Sequence, residues 1–204
     1  MRNTISYDPR IKFHKPKEIV EAPIVIYVND FDESAVKDFN EDMSDAHETG
    51  QNVIPIVIDS FGGSCYAINS MVSAILDSKI PVATILTGKA MSAGALLFGF
   101  GTEGYRFMDP YATIMIHEAG WRSSGKVQDI KSDALHLEDV NKSLYERFTK
   151  HLNQPKNYFS DLIASKKNAD WFLTAREAKK HKIANHLKIP HLHTHVSVTT
   201  EFSW

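Results

Sequence analysis

Between Ile24 and Ile116, short aliphatic and β-branched runs alternate with stretches whose apolar residues recur three or four positions apart. Ile24-Val-Ile-Tyr-Val28, Ile54-Pro-Ile-Val-Ile58 and Val82-Ala-Thr-Ile-Leu86 read as buried strands. Val36, Phe39, Met43 and Ala46 mark a helix after the first run, with Asp32 as its cap and Gly50 as its stop. Ile68, Met71, Val72, Ile75 and Leu76 mark a second helix, and the apolar segment from Ala93 to Phe100 a third. Tyr105 to Met108 and Thr113 to Ile116 are further strand candidates. A helix between successive strands returns the chain to start the next one in the same direction, so this rhythm predicts an α/β fold with a mostly parallel sheet and right-handed crossovers.

Beyond Gly125 the period changes. Ile130, Ala134, Leu137, Asn141, Leu144, Phe148 and Leu152 recur at helical spacing, which predicts one helix over 127–153. At 1.5 Å per residue it would be roughly 40 Å long. Two readings fit: a handle that packs on another subunit, or a kinked surface helix. Pro155 opens a short helix with Tyr158, Phe159, Leu162 and Ile163, and Thr174-Ala-Arg-Glu177 matches a capping box.

Composition narrows the function. The 23 basic and 25 acidic residues give a net charge of −2, which argues against a phosphate-binding, nucleic-acid partner. The one cysteine, Cys65, excludes an internal disulfide framework and a cysteine-rich zinc site, and suits a cytoplasmic setting. The start of the chain lacks the apolar core of a secretory signal, and no apolar run approaches the ~20 residues of a membrane span. No metal site is expected. The alternating His191, His193 and His195 read as a polar tail rather than as ligands.

Three segments carry chemistry-bearing residues. Asp59-Ser-Phe-Gly-Gly-Ser64 follows a strand, and its paired glycines can turn sharply and expose N–H groups to an oxyanion. Taken alone, the segment reads first as an ordinary strand-to-helix turn. Gly88-Lys-Ala-Met-Ser92-Ala-Gly94 flanks Ser92 with small residues at −2 and +2, as a nucleophile elbow requires, although a serine helix cap gives the same pattern. Met115-Ile-His117 ends an apolar run, where a histidine can be a general base or a hydrogen-bonded structural residue.

Together these segments resemble the ClpP family, the proteolytic subunit of ATP-dependent Clp proteases, within the ClpP/crotonase superfamily. The family's S-P-G-G is similar to Ser60-Phe-Gly-Gly63, its G-x-A-x-S-x-G to Gly88–Gly94, and its M-I-H to Met115-Ile-His117. The order and separations of Gly63, Ser92 and His117 are also similar. Gly125-Lys-Val-Gln-Asp-Ile130 resembles the entry to the family's long handle helix. Asp170-Trp-Phe-Leu-Thr-Ala175 resembles the acidic residue before F-L-S-A.

The resemblance implies a ClpP/crotonase-like fold of repeated β-β-α/β-α units, a mostly parallel sheet head and a handle helix. It implies a peptidase domain over 23–189 with the handle at about 119–153, an N-terminal arm over 1–22 and a C-terminal tail over 190–204. Ser92 would be the nucleophile, His117 the general base and Asp170 the group orienting His117, with the backbone N–H groups of Gly63 and Ala93 as oxyanion hole. Gly62, Gly63, Ser64, Glu118, Ala119, Gly120 and Trp121 would line the substrate groove, the stretch from Ala119 to Lys126 pairing with peptide as a strand. No cofactor is implied. Substrates would be peptides or unfolded proteins, inside homo-oligomeric rings, a heptamer or a stacked double heptamer. The chain has no P-loop sequence, so ATP dependence would come from an AAA+ unfoldase partner. The chain departs from the family at Phe61, where proline is usual, at Glu118, where glutamine is usual, and at Lys182-Ile-Ala-Asn185, where G-L-V-D is usual. A crotonase-like acyl-CoA enzyme and a catalytically silent subunit are the competing functions.

Overall fold

The computed structural model describes residues 22–120, 123–167 and 169–193. Six strands form one sheet: β1 (Ile26–Val28), β2 (Ile54–Ser60), β3 (Val82–Met91), β4 (Arg106–Met108), β5 (Thr113–Ile116) and β6 (Trp171–Thr174). The order is β1-β2-β3-β5-β6, with β4 pairing the first half of β3. All pairs are parallel except β5–β6, so the α/β reading holds. The helices are α1 (Glu33–Glu48), α2 (Cys65–Asp77), α3 (Ala93–Gly99), α4 (Val127–His151), α5 (Tyr158–Ser165) and α6 (Ala175–Lys180). No described helix is long and apolar enough to cross a membrane.

Local chemistry explains the boundaries. Asp32 caps α1 by accepting from the Ala35 N–H at 2.8 Å, and Gly50 follows the helix in the left-handed region (φ 74°) that a C-terminal stop needs. The Thr174–Glu177 capping box forms at α6. Ile54, Ile56 and Ile58 of central β2 are fully buried, as expected of a strand sandwiched between helical layers.

Four features differ from the sequence reading. Strand β3 runs on to Met91 instead of stopping near Leu86, because its second half gains a new partner, Lys89 to Met91 pairing with Thr113 to Met115. The strand β6 was not foreseen; it is an antiparallel edge strand with Trp171 and Leu173 buried and Phe172 exposed. The described residues of 119–126 form no strand; in the single chain no neighbouring strand offers them a ladder, and the Ala119 N–H donates instead to Asn141 Oδ1 at 3.1 Å. Helix α4 spans about 37 Å, but only the C-terminal part of its apolar stripe is buried: Leu144, Phe148 and Leu152 are, whereas Ile130 is exposed.

The returning segment is anchored by a side chain that the sequence reading passed over. Arg106 on β4 is completely buried. Its guanidinium donates to the carbonyls of Gly101 (2.8 Å), Lys182 (3.1 Å) and Ile183 (3.0 Å), and pairs with Glu103. Burial depresses its pKa, while the Glu103 carboxylate opposes that shift. Asn185 completes the knot, accepting from the Gly104 and Arg106 N–H groups and donating to Glu103.

His151, at the end of α4, makes stability pH-dependent. Its Nε2–H donates to the Gly101 carbonyl at 3.1 Å, and burial holds its pKa below the ordinary value, as it does for His181. In the unfolded chain these imidazoles protonate near pH 6.5. Below that pH the unfolded chain binds more protons than the folded one, so stability falls as pH drops through the depressed folded pKa values. The melting temperature is expected to drop between pH 7.5 and 5.5, and less steeply in His151→Gln; an unchanged slope in that variant would exclude His151 as a source.

Candidate active site

The sheet topology brings three distant residues together. Strands β3 and β5 are parallel neighbours with Met91 opposite Met115, so the residues just beyond them, Ser92 and His117, emerge at the same carboxyl edge. Strand β6 is antiparallel to β5 with Trp171 opposite Ile116, so the residue just before it, Asp170, arrives at that edge too. The carboxyl ends of parallel strands are where α/β folds place their sites.

Ser92 sits on a turn with φ 53° and ψ −120°, a conformation a non-glycine residue adopts only under strain. Its N–H is held by the Met115 carbonyl at 2.8 Å. Although Ser92 occupies the cap position of α3, its side chain makes no capping bond, so the helix-cap reading of this serine is excluded. Its Oγ instead lies 2.8 Å from His117 Nε2. On the other side of the ring, Nδ1 lies 3.3 Å from Asp170 Oδ1. With Nδ1–H turned toward the carboxylate, Nε2 is free to accept the Ser92 hydroxyl proton. The His117 and Asp170 side chains are 30% and 55% exposed, so the row opens to solvent in the single chain.

The glycine turn lies against the serine turn. Gly62 has φ 93°, and a Cβ there would fall 2.7 Å from the Met91 carbonyl oxygen and 3.1 Å from the Ala93 nitrogen, so only glycine permits this approach. The Gly62 N–H donates to Ser60 Oγ at 3.0 Å. Among the described residues the Gly63 N–H donates to no other group, and Ala93 is the first residue of α3, whose N–H has no acceptor within the helix. Phe61, where the resemblance led one to expect proline, is 76% exposed, with Lys89 Nζ 4.4 Å above its ring and paired to Asp59 at 3.0 Å. That contact and the Gly62–Ser60 bond brace the turn without proline. The Lys89 hydrogen bonds hold the Asp59 carboxyl below its usual pKa.

The C-terminal half of α4 fixes the segment carrying His117. The buried Tyr145 donates its hydroxyl to the His117 carbonyl at 2.7 Å, and Asn141 accepts from Ala119. Burial pushes the Tyr145 pKa well above its ordinary value, so this donor stays protonated. Tyr145 did not stand out in the sequence and Asn141 figured only as a member of the helical stripe, because helical residues at core spacing read as packing. Removal of this hydroxyl in Tyr145→Phe is expected to lower kcat several-fold with KM little changed, since the hydrogen bond positions His117 and does not contact substrate. Steady-state kinetics check the split; an effect confined to KM would contradict it.

Ser92 and His117 open onto a small cavity of about 20 Å³, backed by Ile68, Leu96, Leu144 and Tyr145. Of the residues expected along the groove, Gly63 and Ala119 line this cavity, Gly62 lies against the Ser92 turn, Ser64, Glu118 and Gly120 are exposed, and Trp121 lies outside the described residues. Cys65 lines the same cavity half-buried, and burial raises its pKa, which keeps the thiol protonated. His191 and His193 are exposed with ring centroids 6.4 Å apart, His195 lies outside the described residues, and no metal-binding cluster occurs among those described. Met71 is buried, whereas Met91 and Met115 are only half-buried.

The sequence model of the Clp protease family matches residues 12–188. The chain belongs to the Clp protease family. The ATP-dependent Clp protease proteolytic subunit of Bacteroides thetaiotaomicron is similar to it, 32% identical over 136 residues. That alignment takes in 67% of this chain and 60% of the relative, so this Clp-family chain matches less than two thirds of the relative's length.

Proposed function

We propose that this Clp-family protein is a serine endopeptidase. The observation that carries the reading is the 2.8 Å contact between His117 Nε2 and a Ser92 hydroxyl held on a strained turn. In this reading Ser92 Oγ attacks the scissile carbonyl carbon while His117 Nε2 takes the hydroxyl proton. Asp170 holds the imidazole in the required tautomer and stabilises it once charged. The N–H groups of Gly63 and Ala93 receive the oxyanion. Collapse breaks the C–N bond, His117 passes its proton to the leaving amine, and water then hydrolyses the Ser92 ester with His117 again as base. No step calls for a cofactor.

The peptidase unit is residues 23–189, with 1–22 as an arm and 190–204 as a tail. Assembly into homo-oligomeric rings accounts for the apolar residues that α4 leaves uncovered, Val127 (66% exposed) and Leu135 (64%). A ring chamber would also enclose the solvent-open Ser92–His117–Asp170 row, and a cytoplasmic AAA+ unfoldase would deliver unfolded chains to it. Light scattering combined with hydrolysis of a quenched, unfolded polypeptide tests this. Ring-sized particles that release fluorescence are expected. A monomer at working concentration would overturn the assembly, and well-formed rings without hydrolysis would indicate a silent subunit.

A further inference from the structure

A second cavity, about 310 Å³, adjoins the first and shares Gly63 and Cys65 with it. It lies between the first turn of α2 and the middle of α4. The α4 residues facing it, Asp133, His136, Leu137 and Val140, share one helical face with Leu144 of the smaller cavity. Along that face the character changes in order. Leu144 is buried, Leu137 and Val140 are half-buried, and Asp133 and His136 are exposed. The opposite wall is Tyr66, 57% exposed, whose ring stacks on His136 at 6.2 Å and whose hydroxyl lies 3.1 Å from His136 Nε2. The result is an apolar throat next to the Ser92 site with an aromatic wall and a carboxylate at its far end. Ser123 donates its hydroxyl to Asp133 Oδ2, and among the described residues no group bonds Oδ1, which is left for a ligand.

A long cationic side chain matches this order. The methylene stem of lysine or arginine packs on apolar surface while its charged head seeks water or a carboxylate. A tyrosine ring offers the head a cation–π surface. Leucine or phenylalanine would fill the throat but offer nothing to Asp133 Oδ1.

Resting on the peptidase reading for the identity of the ligand, we infer that this cavity selects a lysine or arginine side chain of the bound peptide, with Asp133 as the specificity-determining residue and Tyr66 as its aromatic wall. Because Asp133 is exposed, the preference is modest, about fivefold. The test uses binding, so it does not depend on turnover. The assembled full-length Ser92→Ala protein is titrated with fluorescent hexapeptides carrying one lysine, moved through each position, and with norleucine counterparts of the same length. One position is expected to favour lysine about fivefold, less at high salt, and the preference is expected to fall to near unity in Ser92→Ala/Asp133→Asn. No lysine preference at any position, no measurable peptide binding, or a preference that survives Asp133→Asn would overturn the inference. Serine-dependent hydrolysis by the unmodified protein reports on the peptidase reading separately.

Discussion

Ser92→Ala is expected to lower peptide hydrolysis by about 10⁶-fold, the loss seen when the nucleophile of a comparable triad is removed. Such a loss requires that Ser92 form the bond to substrate; a serine that merely capped α3 would cost about 1 kcal/mol of stability and leave turnover intact. The Ser92 side chain caps nothing and is within hydrogen-bond distance of His117. Progress curves at high enzyme concentration measure the residual rate. Circular dichroism and light scattering should show the variant folded and assembled as before. His117→Ala should lose activity comparably, with Asp170→Asn less severely affected, since a misdirected tautomer still leaves some base character.

Arg106→Ala is the second large effect, this time on stability. The substitution strips hydrogen-bond donors from the carbonyls of Gly101, Lys182 and Ile183 and leaves a cavity where a fully buried side chain stood. The unsatisfied carbonyls and the cavity together cost about 3–5 kcal/mol. At about 2–4 °C per kcal/mol for a chain of this size, the melting temperature should fall by roughly 10 °C. The knot tethers the segment after α6 to β4, so loosening it should also raise protease sensitivity around Lys182. Arg106→Lys tests the geometry, since lysine keeps the charge but cannot reach three carbonyls and Glu103 with one fork. A variant as stable as the parent would show that the network is dispensable.

The parallel core and the glycine and serine turns at its edge were legible in the sequence for a physical reason. Strands buried on both faces must be nearly continuous aliphatic runs, and turns that place a nucleophile or an oxyanion hole must use small residues, so Ile54–Ile58, Gly62-Gly63 and Ala90–Gly94 declare themselves. The cap at Asp32 and the box at Thr174 are equally local. Strand β6 was missed because Trp-Phe-Leu-Thr is a short edge strand read as a prelude to α6, although the alternation of buried Trp171, exposed Phe172 and buried Leu173 was present. Arg106 was missed because charge suggests surface. Yet it shares a strand face with Met108, which is fully buried, and period two alone would have placed it inside. Tyr145, Asn141 and the Tyr66–Asp133–His136 cavity depend on where α4 lies across the head, and no local pattern encodes that packing.

The central claim is that Ser92 is a nucleophile activated by His117. The most direct measurement is mass-spectrometric mapping of the folded, assembled protein after treatment with a fluorophosphonate, a reagent that reacts with activated serines. One adduct on the peptide containing Ser92, formed quickly and lost in His117→Ala, is the predicted result. No adduct, or an adduct elsewhere with Ser92 untouched, would contradict it.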